Sequence, residues 1–113
     1  MRDDASYFLD MLIAARKLRT FIDGLSEIDF NQSQLHQSAV MRELLIIGEA
    51  ARGVSLEGKS QHPEIKWDEI LGMRNRLVHE YFRIKLNLVW ETVIYDIPVL
   101  VTQIAPLIPP DNE

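Results

Sequence analysis

Residues Leu44–Ala51 read LLIIGEAA, and this run decides the fold class. It is apolar almost all round, so as a helix it calls for cover on more than one side. Gly48, Ala50 and Ala51 leave room for the close approach of another helix. Upstream, Asn31 is a candidate N-cap with Gln34 three residues on, a capping-box pattern. The helix is expected to reach about Arg52, with Gly53 beyond its end.

The neighbouring segments share this helical character. From Asp3 to about Ile22, the apolar residues Phe8, Met11, Ala15, Leu18 and Ile22 recur three or four apart. Asp3, Asp4 and Asp10 come early and Arg16, Lys17 and Arg19 late, the order that suits the helix macrodipole. DGLSEID then reads as a connection, with Gly24 as the helix stop. VSLEGKSQHPEIK is irregular and holds one short helical turn; His62, before Pro63, is pushed towards extended backbone. A third long helix starts near Trp67, with Asp68 and Glu69 in its first turn and Ile70, Leu71, Leu77 and Val78 facing inward. The last begins near Asn87, with the stripe Trp90, Val93, Ile97, Leu100 and Ile104 widened by Val89, Ile94 and Val101. Pro98 inside it predicts a kink or an unpaired carbonyl.

No segment alternates with period two, so the expected fold is all-α. The pattern predicts an antiparallel four-helix up-and-down bundle with a short extra helical turn. It occupies residues 1–108 as one domain, with residues 109–113 as a C-terminal tail. The apolar stripes on the second and last helices are wider than a small bundle needs, which points to a homodimer.

Composition narrows the function classes. At 113 residues, 47% hydrophobic and 26% charged, the chain reads as one soluble globular domain. It has no cysteine, which removes disulfides and thiolate metal sites and fits a reducing, cytoplasmic setting. The opening MRDDASYF lacks the basic-then-apolar order of a signal peptide, and charges break up the apolar runs, so no membrane span is expected. A net charge of −5 argues against general coating of nucleic acid, and no DNA partner is expected. Positive charge nevertheless gathers locally: Arg74, Arg76, Arg83 and Lys85 stand against the single acid Glu80.

That cluster lies around GMRNRLVHEYF, residues 72–82. On a helix turning about 100° per residue, Asn75 and His79 share a face and Arg76 lies beside them. Arg74 is five residues before His79 and about 140° round the helix. Either the helix loosens near Val78, or Arg74 and His79 act together from two chains. The ordinary reading is a solvated face on which Arg76 and Glu80 form an i, i+4 pair.

The chemical reading is metal-independent RNA cleavage, in which a 2′-hydroxyl attacks its own adjacent phosphate. Histidine suits both proton transfers because it titrates near neutrality. The crowded phosphorane needs a fixed cation, for which the forked guanidinium of Arg74 is suited. Asn75 either orients His79 or holds a phosphate oxygen. One chain offers one well-placed histidine, whereas a two-fold dimer offers two.

Glu49 has two candidate roles, an ion pair with Arg52 or a reach across the bundle to hold Arg74. His36 and His62 read as solvated. Their spacing with His79 matches no metal-ligand pattern, so no metal or cofactor is expected. Trp67 and Trp90 read as core or interface.

Arg74-Asn75-x-x-x-His79 followed by Tyr81 resembles the Arg-x4-His signature of HEPN-domain ribonucleases. HPEIKWDEILGMRNRLVHEYFRIKLNLVWETV, together with IIGEAARG, is similar to the HepT subfamily, small toxins encoded beside a minimal nucleotidyltransferase antitoxin, MntA. The similarity runs from the first helix to Pro98. It implies an all-α dimer with its ribonuclease site at the dimer cleft, acting on RNA within a type VII toxin–antitoxin pair. On that resemblance Arg74 and His79 carry cleavage, with Asn75 in support; Glu49 and Arg76 are placed behind them by the reading of the residues themselves. Tyr81 matches the tyrosine that the partner transferase modifies with AMP to silence the toxin. The alternative is a catalytically silent HEPN module that serves mainly as partner and AMP acceptor.

Overall fold

The structure, a computed structural model, describes residues 2–110. Most of the expected tail at residues 109–113 therefore lies outside the described residues. The elements are α1 (Asp4–Ile22), α2 (Glu27–Asn31), α3 (Gln34–Gly53), α4 (Leu56–Gln61), α5 (Trp67–His79), α6 (Leu86–Glu91) and α7 (Ile97–Ile104). A 3-10 turn, Tyr81–Arg83, follows α5, and a π-helical stretch, Thr92–Asp96, joins α6 to α7. There is no strand among the described residues, and the fold is all-α as expected.

Local chemistry sets the boundaries. Asp3 caps α1, its side chain accepting from the Ser6 N–H at 2.9 Å. Gly24 leaves the helix at φ +78°, the left-handed conformation that favours glycine. The expected connection after it holds a further short helix, α2. Ser26 and Asp29 form a reciprocal capping box there, with both bonds at 3.1 Å. Five residues would not stay helical alone; α2 is pinned by Phe30, fully buried and tilted against Trp90 at 5.4 Å.

The capping box expected at Asn31 and Gln34 is not formed. Asn31 is the last residue of α2, so its backbone already belongs to that helix. Ser33 caps α3 instead, accepting from the His36 N–H at 3.2 Å.

Helix α3 is the centre of the molecule, packed on α1 along one flank and on α5 along another, while α7 packs on α1. Leu44, Ile47 and Ala51 are buried along one stripe, with Ala50 buried to one side of it and Gly48 to the other, so the run is covered over about half its circumference, while Leu45 and Ile46 are half-buried and Glu49 is exposed. Asp4 ties α4 to α1 by accepting from the Ser55 N–H at 2.8 Å and the Ser55 hydroxyl at 2.6 Å. These bonds hold the Asp4 carboxyl below the usual range.

The last helical run buries Val89, Val93, Ile97, Leu100 and Ile104 along its inward stripe. Pro98 has no N–H, and the chain meets this with a widened turn: the Ile97 N–H donates to the Thr92 carbonyl, five residues back. Glu91 and Asp96 are the only charged residues between Leu86 and Leu107. By length and composition that run is apolar enough to cross a membrane, with mean hydropathy 1.3 and 28% of the window buried. Charges do interrupt this run, at Glu91 and Asp96, as expected, but they lower its average too little to take it below that of a span. Two isolated carboxylates do not offset the aliphatic residues on both faces.

Candidate active site

The site is built around the crossing of α3 and α5. Gly48 has no side chain, and a Cβ there would overlap Cβ of Arg74 and stand 3.3 Å from its Cα. The two backbones therefore meet at this pair, which is the close approach that Gly48 permitted. The crossing delivers Glu49 to Arg74, whose Nε donates to Oε1 at 2.5 Å. Oε2 of Glu49 lies 3.6 Å from Nη1 of Arg52. Both roles considered for Glu49 are thus realised, one on each oxygen. The Arg74 bond, against a smaller opposing effect of burial, holds the Glu49 carboxyl below the usual carboxylate range.

Arg74 also donates from Nη1 to Oδ1 of Asn75 at 3.0 Å. Its side chain is 18% exposed. A guanidinium has five N–H donors, and the bonds to Glu49 and Asn75 use two of them. Asn75 spends its oxygen on Arg74, and among the described residues no hydrogen bond joins it to His79.

Helix α5 stays regular to its last residue: the Glu80 N–H still donates to the Arg76 carbonyl at 2.7 Å. The helix does not loosen near Val78, and Arg74 and His79 stay on different sides of it. His79 is exposed, and its ring has no hydrogen bond or ion pair among the described residues. Arg76 is exposed too and makes no ion pair with Glu80, so the ordinary i, i+4 pair is not closed. Val78, expected inside, is 45% exposed; Leu77 takes the inward position at 4%.

Beyond α5 the chain makes its 3-10 turn. Tyr81 is 38% exposed and meets the ring of Phe82 edge to face at 5.3 Å. Arg83 and Lys85 follow, both exposed and without an acidic partner among the described residues. Phe82, which the sequence reading passed over, is 96% exposed. Its only sequence signal is an aromatic just past a helix end and next to basic residues.

On another flank of α5, a cleft of about 400 Å³ opens towards the last helical run. Leu44, Ile47, Met73 and Leu100 line it, with Arg76 and Asp96 among its polar residues. His36 and His62, expected to be solvated, are half-buried. Ser33 Oγ lies 2.6 Å from Nδ1 of His36, and the His62 ring packs edge-on against Phe8 at 5.7 Å. Trp67 belongs to the core, its indole N–H donating to the His62 carbonyl at 3.0 Å.

Residues 11–107 match the family described as Ribonuclease HepT-like. An inferred RNase of Caldanaerobacter subterraneus subsp. tengcongensis is 33% identical over 108 residues, covering 96% of both chains. An inferred ribonuclease HepT of Thermococcus cleftensis is 37% identical over 99 residues, covering 88% of this chain and 90% of its own. An inferred RNase of Methanocaldococcus jannaschii is 34% identical over 97 residues, covering 86% and 89%. No solved structure matches the chain significantly.

Proposed function

Because the chain belongs to the HepT-like ribonuclease family, we propose that it is a metal-independent endoribonuclease whose site is Arg74, Asn75 and His79. The observation that carries this is the contrast along α5. Arg74 is fixed to Glu49 at the α3–α5 crossing, whereas His79 has no partner among the described residues and stands at the open helix end. The cation is held in place before substrate arrives, as stabilisation of a phosphorane requires. The histidine is left accessible to exchange protons with the 2′-hydroxyl or the leaving 5′-oxygen.

A homodimer belongs to this reading. With α5 regular through His79, Arg74 of one chain does not face the same small group as His79 of that chain. Two-fold pairing brings a second His79, supplying base and acid from different protomers. The four-helix up-and-down topology is part of the same proposal and is supported by α1 between α3 and α7 and by α3 between α1 and α5. So are a single domain over residues 1–108 and a cytoplasmic setting.

Regulation falls to Tyr81. A nucleotidyltransferase antitoxin that places AMP on its exposed hydroxyl would set a bulky anion two residues from His79, cancelling the local positive field and blocking RNA. Arg76, exposed beside His79, adds to that field. The silent-module alternative draws on one observation, that Arg74 is already bonded to Glu49 and Asn75.

One experiment separates the two. RNA cleavage and growth arrest are measured for wild type and for His79→Ala. Loss of general acid–base catalysis lowers cleavage by about 10²-fold or more; equal behaviour of the two proteins leaves only the binding module. Mass spectrometry of Tyr81 after incubation with the partner and ATP tests the off-switch, and an unmodified tyrosine removes it.

A further inference from the structure

Among the described residues, Phe82 is the most exposed large apolar side chain, at 96%. Single exposed apolar residues are ordinary, but this one differs in kind and in setting. It is a rigid aromatic ring, three residues past His79, in the turn that ends the α5 segment. Among the described residues its one ring contact is edge to face with Tyr81 at an interplanar angle of 86°. That contact leaves a ring face open to solvent. Arg83 and Lys85 follow it and Arg76 precedes it, all exposed and none with an acidic partner among the described residues.

We propose that Phe82 is a stacking platform for the RNA base beside the scissile phosphate, a positioning residue for the ribonuclease reading on which this inference rests. Cations that gather phosphates around an open aromatic face are the two components of single-strand recognition. The three-residue separation from His79 spans at most about 11 Å of chain, a gap that one nucleotide with its flanking phosphates can bridge. A second copy of this chain is the less favoured occupant. The neighbours of Phe82 are cations, which in the two-fold cleft proposed above are better offset by an anionic strand lying against the ring than by a second basic patch pressed directly onto it. Stacking accepts any base, so the platform grips single strands with little sequence preference.

The test uses the full chain with Phe82→Ala, Phe82→Leu and Phe82→Trp, assayed on a single-stranded oligoribonucleotide. Phe82→Ala and Phe82→Leu raise KM about ten-fold, the loss expected for one stacked base, with kcat little changed. Phe82→Trp restores KM, because the requirement is a π-face and not bulk. A second readout places Phe82→Trp in the His79→Ala background and follows tryptophan fluorescence against His79→Ala alone. RNA quenches the added signal, and an abasic ribose-phosphate chain of equal length does not.

If wild type cleaves RNA and all three variants keep its KM, the platform is refuted while the ribonuclease reading stands. If Phe82→Ala turns a dimer into a monomer by sedimentation and Phe82→Trp fails to restore KM, Phe82 is an interface residue and the proposal falls. If wild type cleaves no RNA, the ribonuclease reading fails, and the fluorescence then decides: quenching by RNA alone upholds base stacking, and none overturns it.

Discussion

The two ends of the Arg74–His79 motif are built in opposite ways. At the α3–α5 crossing the backbones touch through Gly48, and Arg74 is largely covered and bonded to Glu49 and Asn75. Five residues later His79 and the turn behind it stand in solvent, with an open aromatic ring and cations that have no acidic partner among the described residues. A cation that stabilises charge works best when it needs no reorganisation; groups that move protons or grip a flexible strand need access. Rigidity and availability are thus divided between the middle and the C-terminal end of one helix.

The sharpest way to break that contrast is Gly48→Val. The first side-chain carbon already overlaps Arg74, and the obstruction includes backbone, so α3 and α5 must separate. A loss of about 3 kcal/mol and a fall in Tm on the order of 12 °C are expected by thermal unfolding, with cleavage abolished. An unchanged Tm would mean the crossing yields easily. Next come two neighbours on α5: Leu77→Ala should cost about 2–5 kcal/mol, whereas Val78→Ala should stay within about 0.5 kcal/mol. Equal urea midpoints for that pair would show that the outward face of Val78 is covered in solution.

Glu49→Gln tests the covered end more gently. The expectation is a fall in kcat of about ten-fold, since a bond to a charged group contributes about 1.5–3 kcal/mol, with the fold intact. Its pH signature has a definite sign. The folded carboxyl lies below its ordinary value of 4.5, so its stabilising contribution is present above that value. The contribution is lost as pH falls through the depressed folded value. Urea unfolding of wild type and Glu49→Gln should therefore differ at neutral pH and converge in acid. A difference that persists in strong acid would assign the effect to packing.

Much of this was legible in the residues because long helices write a 3.6-residue period and end on recognisable chemistry. The boundaries at Asp3, Gly24 and Trp67 and the burial of Leu44, Ile47, Gly48, Ala50 and Ala51 all follow from that. Helix α2 was not legible, since five residues are too few to show a period and depend on Phe30 reaching the core. Asn31 misled because Ser33, a cap of the same kind, stands two residues away. Spacing placed Val78 inside, yet adjacent residues differ by about 100°, and only packing decides that Leu77 takes the core. Gly48 announced a close neighbour, but the identity of that neighbour as Arg74 is a tertiary fact. Phe82 lies beyond the end of α5, where no periodic pattern records whether the chain folds back to cover it.

The smallest expected effect also has the opposite sign. Gly72 lies on α5, in the lining of the cleft towards the last helical run, and a Cβ there would meet nothing within 4 Å. A glycine inside a helix costs about 0.8–1.0 kcal/mol relative to alanine, so Gly72→Ala should raise Tm by a few degrees and leave cleavage unchanged. Gly48 and Gly72 then behave as opposites although both sit in helices, because one faces a backbone and the other an open cleft. If Gly72→Ala is stabilising yet abolishes cleavage, the cleft flank of α5 must admit a close neighbour in the working state. The contrast between closed and open flanks would then hold for the lone chain and fail for the active assembly, a distinction that sedimentation of the variant reads directly.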